Sequence, residues 1–144
     1  MVLHPYVFKS IVPTVSWTVL FHDEFDREYR PLAKGLQDEL LAHALLLSQF
    51  GPGLGRPTVD TLKGSKHANM KELRFGWQGE VWRVAFAFDP DRQAILLVGG
   101  DKGGADQKQF YKRIIGLADA RFDMHLASLA TVAARKEKRH AKKS

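Results

Sequence analysis

Met70-Lys-Glu-Leu-Arg-Phe-Gly-Trp-Gln-Gly-Glu-Val-Trp-Arg-Val-Ala-Phe-Ala-Phe88 is the stretch on which the fold turns. Two runs rich in aromatic and β-branched residues flank a short segment holding two glycines, the pattern of a β-hairpin. With strands at Met70–Phe75 and Glu80–Phe88 and a four-residue turn Gly76–Gly79, Phe75 pairs with Glu80 and Leu73 with Trp82. Side chains alternate across a strand. Leu73, Phe75, Trp82, Val84, Phe86 and Phe88 therefore share one face, an apolar one for helices to cover. Glu72, Arg74, Val81, Arg83 and Ala85 share the other. Two arginines on neighbouring strands with small residues around them make an open basic floor, although alternation alone also fits a solvated face.

Outward from the hairpin, Trp17–Phe21 reads as a first strand. Asp23 is placed to cap a helix carrying Phe25, Tyr29 and Leu32 at helical spacing, which Pro31 ends or bends. Leu36, Leu40, Ala44 and Leu47 form the apolar stripe of a second helix running to about Gln49. Gly51-Pro-Gly-Leu-Gly55 stops it, and Gly51–Asn69 reads as an ordered loop. After the hairpin, Asp89-Pro-Asp-Arg92 is a turn, and Ala94–Gly99 is apolar throughout, as a central strand would be. Asp106 caps a last helix with Phe110, Ile114, Leu117 and Phe122 facing inward. The order is β-α-α-β-β-β-α, an α+β fold with a mostly antiparallel sheet and helices packed on one face. Residues 1–16 read as an N-terminal extension, 17–129 as the domain, and 130–144 as a basic tail, frayed or disordered.

The 144 residues suffice for one core. Their net charge of +6 is uneven. Arg135, Lys136, Lys138, Arg139, Lys142 and Lys143 against Glu137 place most of it in the last ten residues, while His22–Glu39 is acidic. Cysteine is absent, which fits a cytoplasmic protein, and no apolar run approaches the roughly 20 residues of a membrane span. The six histidines show no metal-ligand spacing, and the glycines at 99, 100, 103 and 104 lack the spacing of a phosphate loop. No metal or cofactor is expected.

Basic groups converge on the two-arginine face by position. Lys63, Lys66 and His67 lie in the loop entering the hairpin, Lys102 follows the apolar strand, and Lys108, Tyr111, Lys112 and Arg113 lie near the start of the last helix. Cations with an aromatic among them suit RNA, since phosphates attract cations and unstacked bases need a π-face.

Leu62-Lys-Gly64, Met70–Phe75, Val81-Trp-Arg-Val-Ala-Phe86, Ile95-Leu-Leu-Val98 and Asp101-Lys102, in that order, resemble the RelE/ParE toxin superfamily, and more closely its HigB-like, phage-derived branch. The resemblance covers Trp17 to about Leu126. It implies the toxin of a type II toxin–antitoxin pair, a ribosome-dependent mRNA endoribonuclease working without metal. It further implies that Arg74 and Arg83 hold the phosphate and the charge growing on it, that Lys102 binds or protonates nearby, and that Lys63, Lys66 or His67 supplies the base. Lys66, Lys108, Lys112 and Arg113 would contact RNA and Tyr111 would stack on a base. The implied partners are mRNA on the ribosome and a helix-turn-helix antitoxin, with operator DNA reached only through the antitoxin complex. Two other readings stay open: a ParE-like toxin that poisons DNA gyrase without catalysis, and a small basic nucleic-acid-binding module.

Overall fold

The computed structural model describes residues 2–3, 17–104 and 106–143. Six strands form one sheet: β1 (Val2–Leu3), β2 (Thr18–Phe21), β3 (Val59–Thr61), β4 (Lys71–Trp77), β5 (Glu80–Phe88) and β6 (Gln93–Asp101), in the order β1-β2-β6-β5-β4-β3. Among the described residues, β2 and β6 pair in parallel and every other pair is antiparallel. Among the described residues the α-helices are α1 (Asp23–Tyr29), α2 (Lys34–Phe50) and α3 (Gln107–Lys143). The α+β class and the mostly antiparallel sheet are as expected. Of the N-terminal extension, only Val2–Leu3 is described, pairing antiparallel with Phe21 and Leu20; residues 1 and 4–16 lie outside the described residues.

The hairpin is tighter than the four-residue turn expected. Trp77 pairs with Glu80, leaving a two-residue turn of Gln78 and Gly79, both at positive φ (49° and 79°). That is the turn whose twist matches two antiparallel strands. The register moves by two residues, so both faces keep their membership. It also sets Arg74 directly opposite Arg83.

On the first face, α1 and α2 cover Val19, Phe21, Leu73, Phe75, Val84 and Phe86 with Phe25, Tyr29, Leu36, Leu40 and Leu47. Leu73, Val84 and Phe86 have no exposed surface, and each such burial contributes roughly 1.5–3 kcal/mol. Packing here is close: a methyl group on Gly35 of α2 would lie 2.4 Å from the Trp77 ring. α1 is capped not by Asp23 but by His22, whose Nδ1 accepts the Glu24 amide hydrogen at 3.2 Å.

The expectation that helices pack on one face only is corrected by α3. It covers the second face, where Met70, Ala85, Ala87, Ile95, Leu97 and Val98 meet Phe110, Ile114, Ala118 and Phe122. The β6 run carries the reason. Ala94 and Leu96 join the first cluster while Ile95, Leu97 and Val98 join the second, so the strand is apolar because both its faces are buried. A register shift between Ala85 and Phe86 lets Leu97 and Val98 both face α3. Arg121 fastens the layers, donating to both Glu28 carboxylate oxygens (2.8 and 2.7 Å) and to the Leu97 carbonyl (2.8 Å).

The frayed or disordered tail is also corrected. α3 continues to Lys143, because no glycine or proline follows Gly116 and Ala, Lys, Arg and Glu dominate the stretch. The cations near its end suit the negative pole of the helix.

Candidate active site

α3 does not cover the whole second face. Toward the hairpin turn, Arg74 and Arg83 lie beyond its first turns and keep partial access to solvent. Pro57, Thr58, Arg74, Phe75, Gly76, Val81 and Arg83 line a hollow of about 410 Å³. Beside it, Arg56, Asp60, Thr61, Leu62, Lys63, Glu72, Gln107 and Tyr111 line another of about 390 Å³. Glu72 and Arg74, two residues apart on one strand face, stand at the boundary.

The charges in this recess are only partly matched. Arg74 lies 3.6 Å from Asp60 and 3.7 Å from Glu72, too far for hydrogen bonds. Arg83 donates to the Val81 carbonyl at 3.3 Å and lies against the Tyr111 and Phe110 rings, 5.8 and 5.9 Å from their centroids. Tyr111 donates its hydroxyl to Glu72 Oε1 at 3.2 Å. Glu72 Oε2, Arg74 Nε and Arg83 Nε are buried and accept or donate no hydrogen bond within the protein. Burial of the phenol and the neighbouring Glu72 carboxylate push the Tyr111 pKa up, so it stays protonated beyond the ordinary tyrosine range. Asp60 is held below the usual carboxylate range by the Thr61 amide, with Arg56 and Arg74 adding to it.

The sequence-expected residues separate into groups. Arg74, Arg83, Tyr111 and Lys63 come together here, and Lys108 is exposed on the first turn of α3. Lys102 follows Asp101, the β6 partner of Trp82, so its backbone enters the same end of the sheet. Lys112 and Arg113 line a different hollow with Gln109, Gly116 and Leu117, although Arg113 also reaches the Phe110 ring at 5.9 Å. Glu72 and Asp60, absent from the expected site, belong to it. Glu72 shares the arginines' strand face, a parity legible from the hairpin.

A scan against family models finds residues 27–123 matching the family described as "Phage derived protein Gp49-like (DUF891)". The chain belongs to this Gp49-like family. The Gp49-like chain is 40% identical over 141 residues to the putative toxin HigB2 of Mycobacterium tuberculosis, covering 94% of this chain and 69% of that one. It is 53% identical over 83 residues to the putative toxin HigB3 of the same organism, covering 58% of this chain and 70% of that one. Among solved structures, a free-state mutant of Escherichia coli toxin RelE aligns with a TM-score of 0.46 at 11% identity, over 71% of this chain and 95% of that one.

In the Gp49-like chain, Lys66 and His67 are held away from the arginines by α3. His67 Nε2 lies 2.8 Å from Asp123, Lys66 pairs with the other oxygen of that carboxylate, and Ser65 donates to Asp119. Hydrogen bonds from Lys66 and His67 keep Asp123 below the usual carboxylate range. The latch is therefore intact at neutral pH and lost as acid protonates Asp123. Among the described residues no three His, Asp or Glu gather as a metal-binding set, and no helix is long and apolar enough to cross a membrane.

Proposed function

We propose that this chain is the toxin of a type II toxin–antitoxin pair and that it silences translation by cutting mRNA in the Arg74–Arg83 recess. Its 40% and 53% identity to proteins described as putative HigB toxins supports the toxin reading. The chemistry rests on one observation: two arginines directly opposite each other in the strand pair, lining one hollow beside the buried Glu72 carboxylate, whose Oε2 accepts no hydrogen bond within the protein.

Cleavage by a ribose 2′-hydroxyl needs a base, cations for the charge growing on phosphorus, and an acid for the leaving oxygen. Glu72 Oε2 accepts the 2′ proton as the 2′-oxygen bonds to phosphorus. Tyr111, staying protonated, orients the carboxylate through Oε1. Arg74 and Arg83 hold the non-bridging oxygens, for which the guanidinium fork is shaped. The bond to the 5′-oxygen breaks, and Lys63, lining the same recess, returns a proton to it. The products carry a 2′,3′-cyclic phosphate and a 5′-hydroxyl. Lys102 and Lys108 extend the cationic rim. Ribosome-bound mRNA is the substrate in this reading. The cognate antitoxin is a helix-turn-helix protein that covers this basic recess and carries the complex to operator DNA.

The test is induced expression of the wild type beside Arg74→Ala/Arg83→Ala, with mRNA ends mapped during translation. The wild type arrests growth and leaves new ends within translated messages, and the double variant does neither. Equal arrest by both proteins with intact messages would overturn the ribonuclease and favour a non-catalytic poison.

A further inference from the structure

We infer that the distal part of α3 is a rigid arm that grips the phosphate backbone of folded RNA well away from the cutting recess. Taking RNA as the polyanion rests on the ribonuclease reading, because the same helix carries Tyr111 at its other end.

The packing of α3 ends well before the helix does. Phe122 and His125 are its last buried residues, Leu126 and Leu129 are half-buried, and residues 130–141 are all exposed. Nothing in the core requires this extension, and the family match stops at residue 123. At about 1.5 Å per residue, Arg135 stands roughly 36 Å along the helix from Tyr111, too far to act on the scissile phosphate.

The charge on the arm is one-sided. At about 100° per residue, Arg135, Lys136, Lys138 and Arg139 fall within an arc of about 160°. Glu137 falls on the opposite side of the helix. An exposed helix serving solubility alone gains from alternating Glu and Lys at i,i+4 spacing. Here Arg135 stands three and four residues from Lys138 and Arg139, and Lys136 three from Arg139, so like charges neighbour one another. Such pairs destabilise an isolated helix, and a row of phosphates reverses the sign of that effect. Double-stranded RNA, recognised through its backbone and shape, presents such a row.

The test is titration of a labelled RNA stem-loop at several salt concentrations, by fluorescence anisotropy, with full-length protein. Arg135→Gln/Lys136→Gln/Lys138→Gln/Arg139→Gln is the neutral arm. Ala134→Arg/Arg135→Ala/Lys138→Ala/Ala141→Lys keeps the net charge but splits the stripe. All these residues are good helix formers, and circular dichroism verifies equal helicity. The neutral arm lowers the slope of log K against log salt by about 3, from roughly 0.7–0.9 per phosphate contact, and the split stripe binds more weakly than wild type. An unchanged slope in the neutral arm, wild-type binding by the split stripe, or a loss confined to antitoxin binding overturns the arm. If the binding results hold and mapped messages stay intact, the ribonuclease reading fails and the arm stands.

Discussion

Arg83→Met should make the protein more stable and less active at once. The wild-type guanidinium has a buried Nε without a partner, sits opposite Arg74 in the strand pair, and reaches the Val81 carbonyl over 3.3 Å and the Tyr111 phenol. Removing an unmet buried donor recovers about 2 kcal/mol. Relieving a directly opposed like charge adds about 0.5 kcal/mol. Against this stand about 1 kcal/mol for the contacts with Phe110 and Tyr111 and about 0.5 kcal/mol for the bond to Val81. Methionine keeps the apolar stem against the rings. The net is a gain of about 1 kcal/mol, or about 2–4 °C in Tm for a domain of this size. Loss of one preorganised cation from the transition state should slow cleavage by about 10²–10³-fold. Differential scanning calorimetry reads the first quantity and a primer-extension time course on translated mRNA the second. A lower Tm would show that the guanidinium holds the fold, and undiminished cleavage would remove it from the site; either result refutes the reasoning.

Tyr111 links the recess to alkaline stability: its raised pKa means that the native state keeps the phenolic proton longer than the unfolded chain does. Stability should therefore decline as pH rises above about 10 toward the native value, and Tyr111→Phe should abolish that decline in urea melts. Glu72→Gln, removing one cause of the shift, should bring the tyrosinate absorbance transition to lower pH. Arg121→Met should cost about 3 kcal/mol, chiefly by stranding the buried Leu97 carbonyl, whereas Glu28→Gln should cost under about 1 kcal/mol because that carboxylate is half exposed. Equal losses in the two proteins would show that the ion pair, not the carbonyl contact, does the fastening.

The hairpin's faces were legible because a side chain changes face only when register shifts by an odd number of residues. The expected and observed turns differ by two, so Glu72, Arg74 and Arg83 share a face in either. Helix cover on the second face was written less plainly. In β5, Arg83 interrupts the apolar residues that α3 buries, and only the unbroken run in β6 signals burial on both sides. β3 has three residues between Pro57 and Leu62, too few for any periodicity to show. The latch joining Ser65, Lys66 and His67 to Asp119 and Asp123 spans more than fifty positions. Nothing local separates those basic groups from the ones that reach the recess. The tail's composition fits a solvated coil and a solvated helix equally well by charge; its alanines and lack of breakers decide for the helix.

The two arginines differ in a way that assigns them different work. Arg74 has carboxylates on two sides, Asp60 at 3.6 Å and Glu72 at 3.7 Å, so its charge is partly matched before any RNA arrives. Arg83 has Gly100 as its neighbour on β6, a position without a side chain, and its contacts are the Val81 carbonyl, the Tyr111 phenol and the Phe110 ring, none of them a carboxylate. A cation matched in the free protein changes little when charge grows on a bound phosphate, whereas a poorly matched one gains most at that moment. Stabilisation specific to the transition state raises kcat, while equal stabilisation of substrate and transition state only lowers KM. In the proposed cleavage, Arg74 would therefore position the phosphate and Arg83 would answer the developing charge. The carboxylates around Arg74 offset part of the positive charge of the recess, and α3 lays Phe110 and Tyr111 against the Arg83 guanidinium without neutralising it.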